Sequence, residues 1–188
     1  MARRVWVGVI GVGAALLLGA LLLLVRTSFG EARAGSSAAE ALEGLVPQVG
    51  EGVAEGRDMA TVRLGERSYV GMLEMPTLGL ELPVMARWSD ELLRDGPCRY
   101  YGTAADDNLV IAGFNYDAHF GRLTELSPGD EVTLVEMDGT VDAYEVVEVV
   151  SLDPSAVEEM TSSGYALTLF TRSYDDSSCV TVHCDRVR

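Results

Sequence analysis

The stretch Leu167-Thr168-Leu169-Phe170-Thr171-Arg172-Ser173-Tyr174 runs through Asp175-Asp176 into Ser177-Ser178-Cys179-Val180-Thr181-Val182, and its reading decides the fold. Apolar-rich, alternating flanks around an Asp/Ser turn predict a β-hairpin. Side-chain parity then assigns the faces. On the second strand Val180, Val182 and Cys184 share one face, expected to be the core, while Cys179, Thr181 and His183 share the other. Arg172 directly follows the first strand and Cys179 opens the second, so a guanidinium and a thiol are expected to meet across the hairpin.

Further short alternating segments extend upstream: Tyr69 to Met75, Leu80 to Met85, Asn108 to Ala112, Glu131 to Glu136 and Thr140 to Leu152, with Ala166 to Thr171 and Cys179 to Arg186 forming the hairpin itself. That spacing predicts a mainly β fold, a closed or nearly closed β-barrel. Asp138-Gly139 lies between two alternating runs and predicts a tight hairpin, since glycine readily takes a positive φ. Short helices are expected at Ser89 to Arg94, with Ser89 as N-cap, and at Pro154 to Met160, with Asp153 as cap and Pro154 in the first turn. No internal repeat is present.

A second motif, Ile111-Ala112-Gly113-Phe114-Asn115-Tyr116-Asp117-Ala118-His119-Phe120-Gly121-Arg122-Leu123, together with the hairpin, resembles the sortases, membrane-anchored cysteine transpeptidases of Gram-positive bacteria. Tyr69 to Pro76, Leu80 to Val84, Pro97 to Gly102 and Gly129 to Val132 resemble further sortase segments in the same order, the first two those of class B-like members. The likeness covers roughly two thirds of the chain, enough for one domain. In the family the first motif reads I-A-G-H-N-Y, and the hairpin reads T-L-x-T-C with a catalytic arginine on the next strand. Here the His position holds Phe114, the Cys position Arg172 and the Arg position Cys179.

The resemblance implies a sortase-like barrel whose three catalytic positions are replaced, and a groove bordered by Asn115, Thr171, Ser173 and Tyr174 as substrate-binding candidates. Acyl transfer needs a nucleophile, a proton donor for the leaving amine and an oxyanion partner. A guanidinium offers no lone pair at any accessible pH. Phe114 cannot titrate, and loss of a positioned acid or base costs about 10²- to 10⁴-fold. The expectation is a pseudoenzyme that binds a sorting-signal peptide, a pilin-like protein or an active sortase. The alternative is a divergent cysteine transpeptidase or hydrolase of the cell wall that uses Cys179, its thiol made accessible and acidic by Arg172. His183 lies two residues along, about 7 Å by strand rise. His119, Tyr116 and Phe120 are expected to pack the loop, and Asp175-Asp176 to form a solvated turn rather than a metal site; no cofactor is implied.

At the other end, Val5 to Val25 carries no charge and is long enough, at about 1.5 Å per helical residue, to cross a hydrocarbon core of about 30 Å. Arg3 and Arg4 precede it, so residues 1–4 are expected in the cytoplasm, 5–25 in the membrane and the remainder outside the cell. A signal peptide cleaved after Ala34 is the rival reading. Residues 26–68, broken by Pro47, Gly50, Gly52 and Gly56, are expected to form a stalk or a helix packed on the barrel of residues 69–188. The chain has 29 acidic and 14 basic residues, all of the latter arginine, which excludes a nucleic-acid partner on charge grounds. Of three cysteines in an exported domain, Cys98 and Cys184 are candidates for a disulfide or for two buried thiols.

Overall fold

The computed structural model describes residues 32–54 and 58–187. The membrane span expected at Val5 to Val25 lies outside them; among the described residues no helix is long and apolar enough to cross a membrane. The strands are β1 (Val62–Leu64), β2 (Arg67–Met75), β3 (Leu80–Met85), β4 (Cys98–Tyr101), β5 (Leu109–Ala112), β6 (Glu131–Glu136), β7 (Val141–Leu152), β8 (Leu167–Arg172) and β9 (Cys179–Arg186). Residues 32–45 are helical and are called α1; α2 is Val157–Thr161.

Strand order is β1-β2-β3-β4-β5-β8-β9-β7-β6, and a further β2–β6 pairing closes all but β1 into an eight-stranded barrel. The inward faces follow the alternation: Val70, Leu73, Val84, Leu109, Ile111, Leu134, Leu167, Leu169, Val182 and Cys184 fill the interior. Burying each such large side chain contributes roughly 1.5–3 kcal/mol. Two short strands escaped the sequence reading, β1 (VRL) and β4 (CRYY), each broken by an arginine rather than running as an apolar stretch like Leu109–Ala112.

The β6–β7 hairpin turns at Asp138-Gly139 as expected, with Gly139 at φ +90° and the Asp138 carboxylate accepting the Thr140 amide at 2.9 Å. Ser89 Oγ accepts the Leu92 amide at 3.1 Å, yet it caps only a 3-10 turn, Leu92–Arg94. The second helix starts later than expected. The Asp153 carboxylate is held by the amide and hydroxyl of Ser155, so it closes a local turn and α2 begins uncapped at Val157.

Residues 32–45 do not form a stalk. Ala34, Ala38, Ala41 and Leu45 recur at helical spacing and are all buried; Ala38 joins the barrel core, while Ala41 and Leu45 pack on Tyr69, Met72, Met85 and Cys98 outside it. Alanines on that stripe let the helix axis approach the sheet closely.

Away from the hairpin end, Arg186 on β9 ties three elements together. Its guanidinium donates to Asp142 on β7, to Asp107 at 2.8 Å and to the Ala104 carbonyl, and lies over the Tyr144 ring, 5.3 Å from its centroid. Glu136, 9% exposed, sits beside Asp142; burial first, and then that carboxylate, push it from 4.5 up to about 7. A carboxyl raised on folding adds stability that is fully present below its unfolded value and is lost as pH rises through the folded one. Glu136→Gln is therefore expected to melt above the parent at about pH 8, with the gap closing towards about pH 5, as followed by circular dichroism. A constant gap across that range would refute the assignment.

Candidate active-site groove

Three adjacent strands bring Phe114, Arg172 and Cys179 together. β5 runs parallel to β8 with Ala112 opposite Phe170, and the Gly113 amide donates to the Phe170 carbonyl at 3.0 Å. Phe114 therefore follows directly at the end where β8 finishes. β8 and β9 are antiparallel, with Arg172 opposite Cys179. The Ser173 amide bonds the Ser178 carbonyl at 2.8 Å, which makes Arg172 and Cys179 the non-hydrogen-bonded pair, the kind whose side chains lie closest on one face. Gly113 has no alternative here, since a Cβ would stand 2.3 Å from the buried Phe120 ring.

These residues line a groove of about 570 Å³. All seven positions singled out by sequence border it: Phe114, Asn115, Thr171, Arg172, Ser173, Tyr174 and Cys179. Its opposite wall is apolar and was missed: Trp88 and Leu93, Tyr100 on β4, and Val157 and Met160 from α2. Tyr100 bridges the wall, edge-on to Trp88 at 5.6 Å and to Phe170 at 5.3 Å. Phe170 was legible, since it shares strand parity with Arg172; the others come from segments brought in by the fold.

Cys179 departs from expectation. It is only 1% exposed, packed with Val110, Ala112, Met160 and Phe170, and burial pushes its thiol up more than the Arg172 charge brings it down. Asp153 and Asp176 add to the upward shift. The thiol faces the groove side of the sheet but is neither accessible nor enriched in thiolate. Arg172 is exposed and, among the described residues, forms no ion pair.

The flanking candidates divide by environment. Thr171, 2% exposed, shares parity with Leu167 and Leu169, and its hydroxyl has no partner. The Ser173 hydroxyl is consumed by the turn, donating to Asp175 at 2.7 Å and accepting the Ser178 amide at 3.1 Å. Asp175 accepts three such bonds, which hold its carboxyl down at about 2. Tyr174 stands 79% exposed at the rim.

Neither histidine is placed to serve Cys179. His183 Nδ1 lies 3.2 Å from the Thr168 hydroxyl, and its ring stacks on Tyr165 at 4.6 Å. His119 is fully buried, and burial lowers its pKa more than the Ala34 backbone beside it raises it. Phe114 lies against Tyr116, 4.4 Å between centroids, and Phe120 is core, so the loop aromatics pack it. The disulfide alternative for Cys98 and Cys184 is not realised: both are free thiols, one in the cluster under α1 and the other inside the barrel, with burial raising each to about 12.

Comparison with known proteins agrees with this architecture. The sortase domain model matches residues 73–186. Among solved structures, sortase C of Streptococcus pneumoniae is 22% identical with a TM-score of 0.55, covering 67% of this chain and 71% of that one. A lid mutant of sortase A from Corynebacterium diphtheriae is 20% identical with a TM-score of 0.57, covering 66% and 73%. A sortase D5 transpeptidase of Clostridium perfringens is 16% identical with a TM-score of 0.55, covering 64% and 79%. No curated protein sequence matches. At these identities the structures speak for the fold alone, but the domain model spans more than half of the chain, and on that ground the chain belongs to the sortase family.

Proposed function

We propose that this protein is a non-catalytic sortase, tethered outside the cell, that binds a sorting-signal peptide, a pilin-like protein or an active sortase. One observation carries the reading: the groove persists while no group in it can both attack a carbonyl and pass on a proton. Arg172 is fixed as a cation, Phe114 does not titrate, and the Cys179 thiol is buried and held neutral. The pneumococcal sortase C is described in terms of its pilin substrate specificity, which supports a pilin-like partner here. The class B-like character of the opening strands is part of the same proposal.

A second reading, an enzyme using Cys179, draws on one feature: the Arg172 charge favours the thiolate. Mass spectrometry after incubation with sorting-signal peptides separates the two. We expect no adduct, and slower alkylation of Cys179 than of a free cysteine, though faster than of the more deeply buried Cys98 and Cys184. A thioester on Cys179 that is absent in Cys179→Ala would overturn the non-catalytic reading.

Restoring chemistry should require the three changes Phe114→His, Arg172→Cys and Cys179→Arg together, because residues acting as a unit are strongly non-additive. Turnover by Arg172→Cys alone, equal to that of the triple variant, would show the roles to be misassigned. For topology, protease added to intact cells is expected to remove the domain while residues 1–25 stay with the membrane. Protection of the domain, or its release with Gly35 as a new N-terminus, would refute the anchor.

A further inference from the structure

The groove's hairpin end carries a guanidinium and a carboxamide, Arg172 and Asn115, whereas much of the remaining lining is apolar. Arg172 is the one cation lining it among the described residues. Asn115 lines the same groove, and its carboxamide forms no hydrogen bond with a described residue. The wall of Trp88, Leu93, Tyr100 and Met160 offers apolar contact apart from the Trp88 indole N–H and the Tyr100 hydroxyl. A guanidinium presents a planar fork that matches a carboxylate through two parallel bonds, a geometry an uncharged carbonyl cannot complete.

We propose that the groove takes the free C-terminal end of an apolar peptide, with Arg172 clamping the terminal carboxylate and Asn115 donating beside it. This rests on the reading of the groove as a peptide site and names what that site selects. The volume, about 570 Å³, suits a few residues rather than a folded surface. Charge complementarity singles out an end over an internal segment: a peptide running through the groove brings only neutral amides past Arg172. A thiol that stays protonated adds no anion to repel the carboxylate or compete for the guanidinium. Asp90 and Asp176 also border the groove; both are exposed, so solvent screens them, and Asp176, whose charge reaches Cys179, offsets part of the Arg172 attraction at the hairpin end.

The test uses the full-length chain in detergent, titrated calorimetrically with acetylated pentapeptides of Leu, Val, Ala and Pro, each prepared as free acid and as C-terminal amide. The acids are expected to bind about tenfold or more tightly than the amides, the scale of a charge-assisted hydrogen bond. In Arg172→Gln the two affinities should converge, and Arg172→Lys should keep only part of the preference, because an ammonium supplies the charge without the fork. Equal binding of acids and amides to the parent overturns this inference while leaving the peptide site standing. Preference that survives in Arg172→Gln overturns it as well, since the carboxylate is then read elsewhere. Failure of both peptide forms to bind sinks the peptide-site reading itself.

Discussion

Closure of the sheet through β2 and β6 is the constraint on which the other registers rest. Gly71 makes it possible: a Cβ there would come 2.7 Å from the Val135 carbonyl oxygen, so only a residue without a side chain lets the two strands approach. Once the ring is closed there are no free edges along which strands could slip, and a one-residue shift anywhere would carry a core face to the outside. The groove inherits this rigidity. Its three key positions lie on β8 and β9 and just past β5, strands whose partners are all fixed by the ring.

Within that frame, the chemistry of the hairpin end depends on a guanidinium on β8 and a thiol on β9. Arg172 and Cys179 face each other across one non-hydrogen-bonded pair. The consequences are unequal. The long arginine on β8 reaches water and keeps its charge, whereas the short cysteine on β9 stays under Met160 and Phe170. Desolvation then outweighs the neighbouring cation and leaves the thiol protonated. What had the makings of an activated nucleophile is a cation exposed above a neutral, buried thiol.

The N-terminal helix touches the same machinery from behind. Its alanine stripe packs on the barrel, and at Gly35 a Cβ would lie 3.5 Å from Ala118, in the loop that carries Phe114 and buries His119. The segment leading from the expected membrane span is thus in contact with the loop bordering the groove. Among the described residues the helix is part of the folded domain.

Much was legible in order of appearance. The alternation from Tyr69 onward predicted seven of the barrel strands, the Asp138-Gly139 turn and the inward face of β9, because period-2 patterning is a local property that burial on one face enforces. The two motifs also located the groove end, since Phe114, Arg172 and Cys179 are placed there by strand register alone. Tertiary structure decided the rest. Whether residues 32–45 are stalk or packed helix depends on a partner surface that alanines do not announce. The far wall of the groove comes from Trp88, Tyr100 and Met160, distant in sequence and joined only by the fold. The state of Cys179 is the clearest case. Parity gave the correct face, but exposure and acidity depend on what covers that face, and the cover is α2, a helix from another part of the chain.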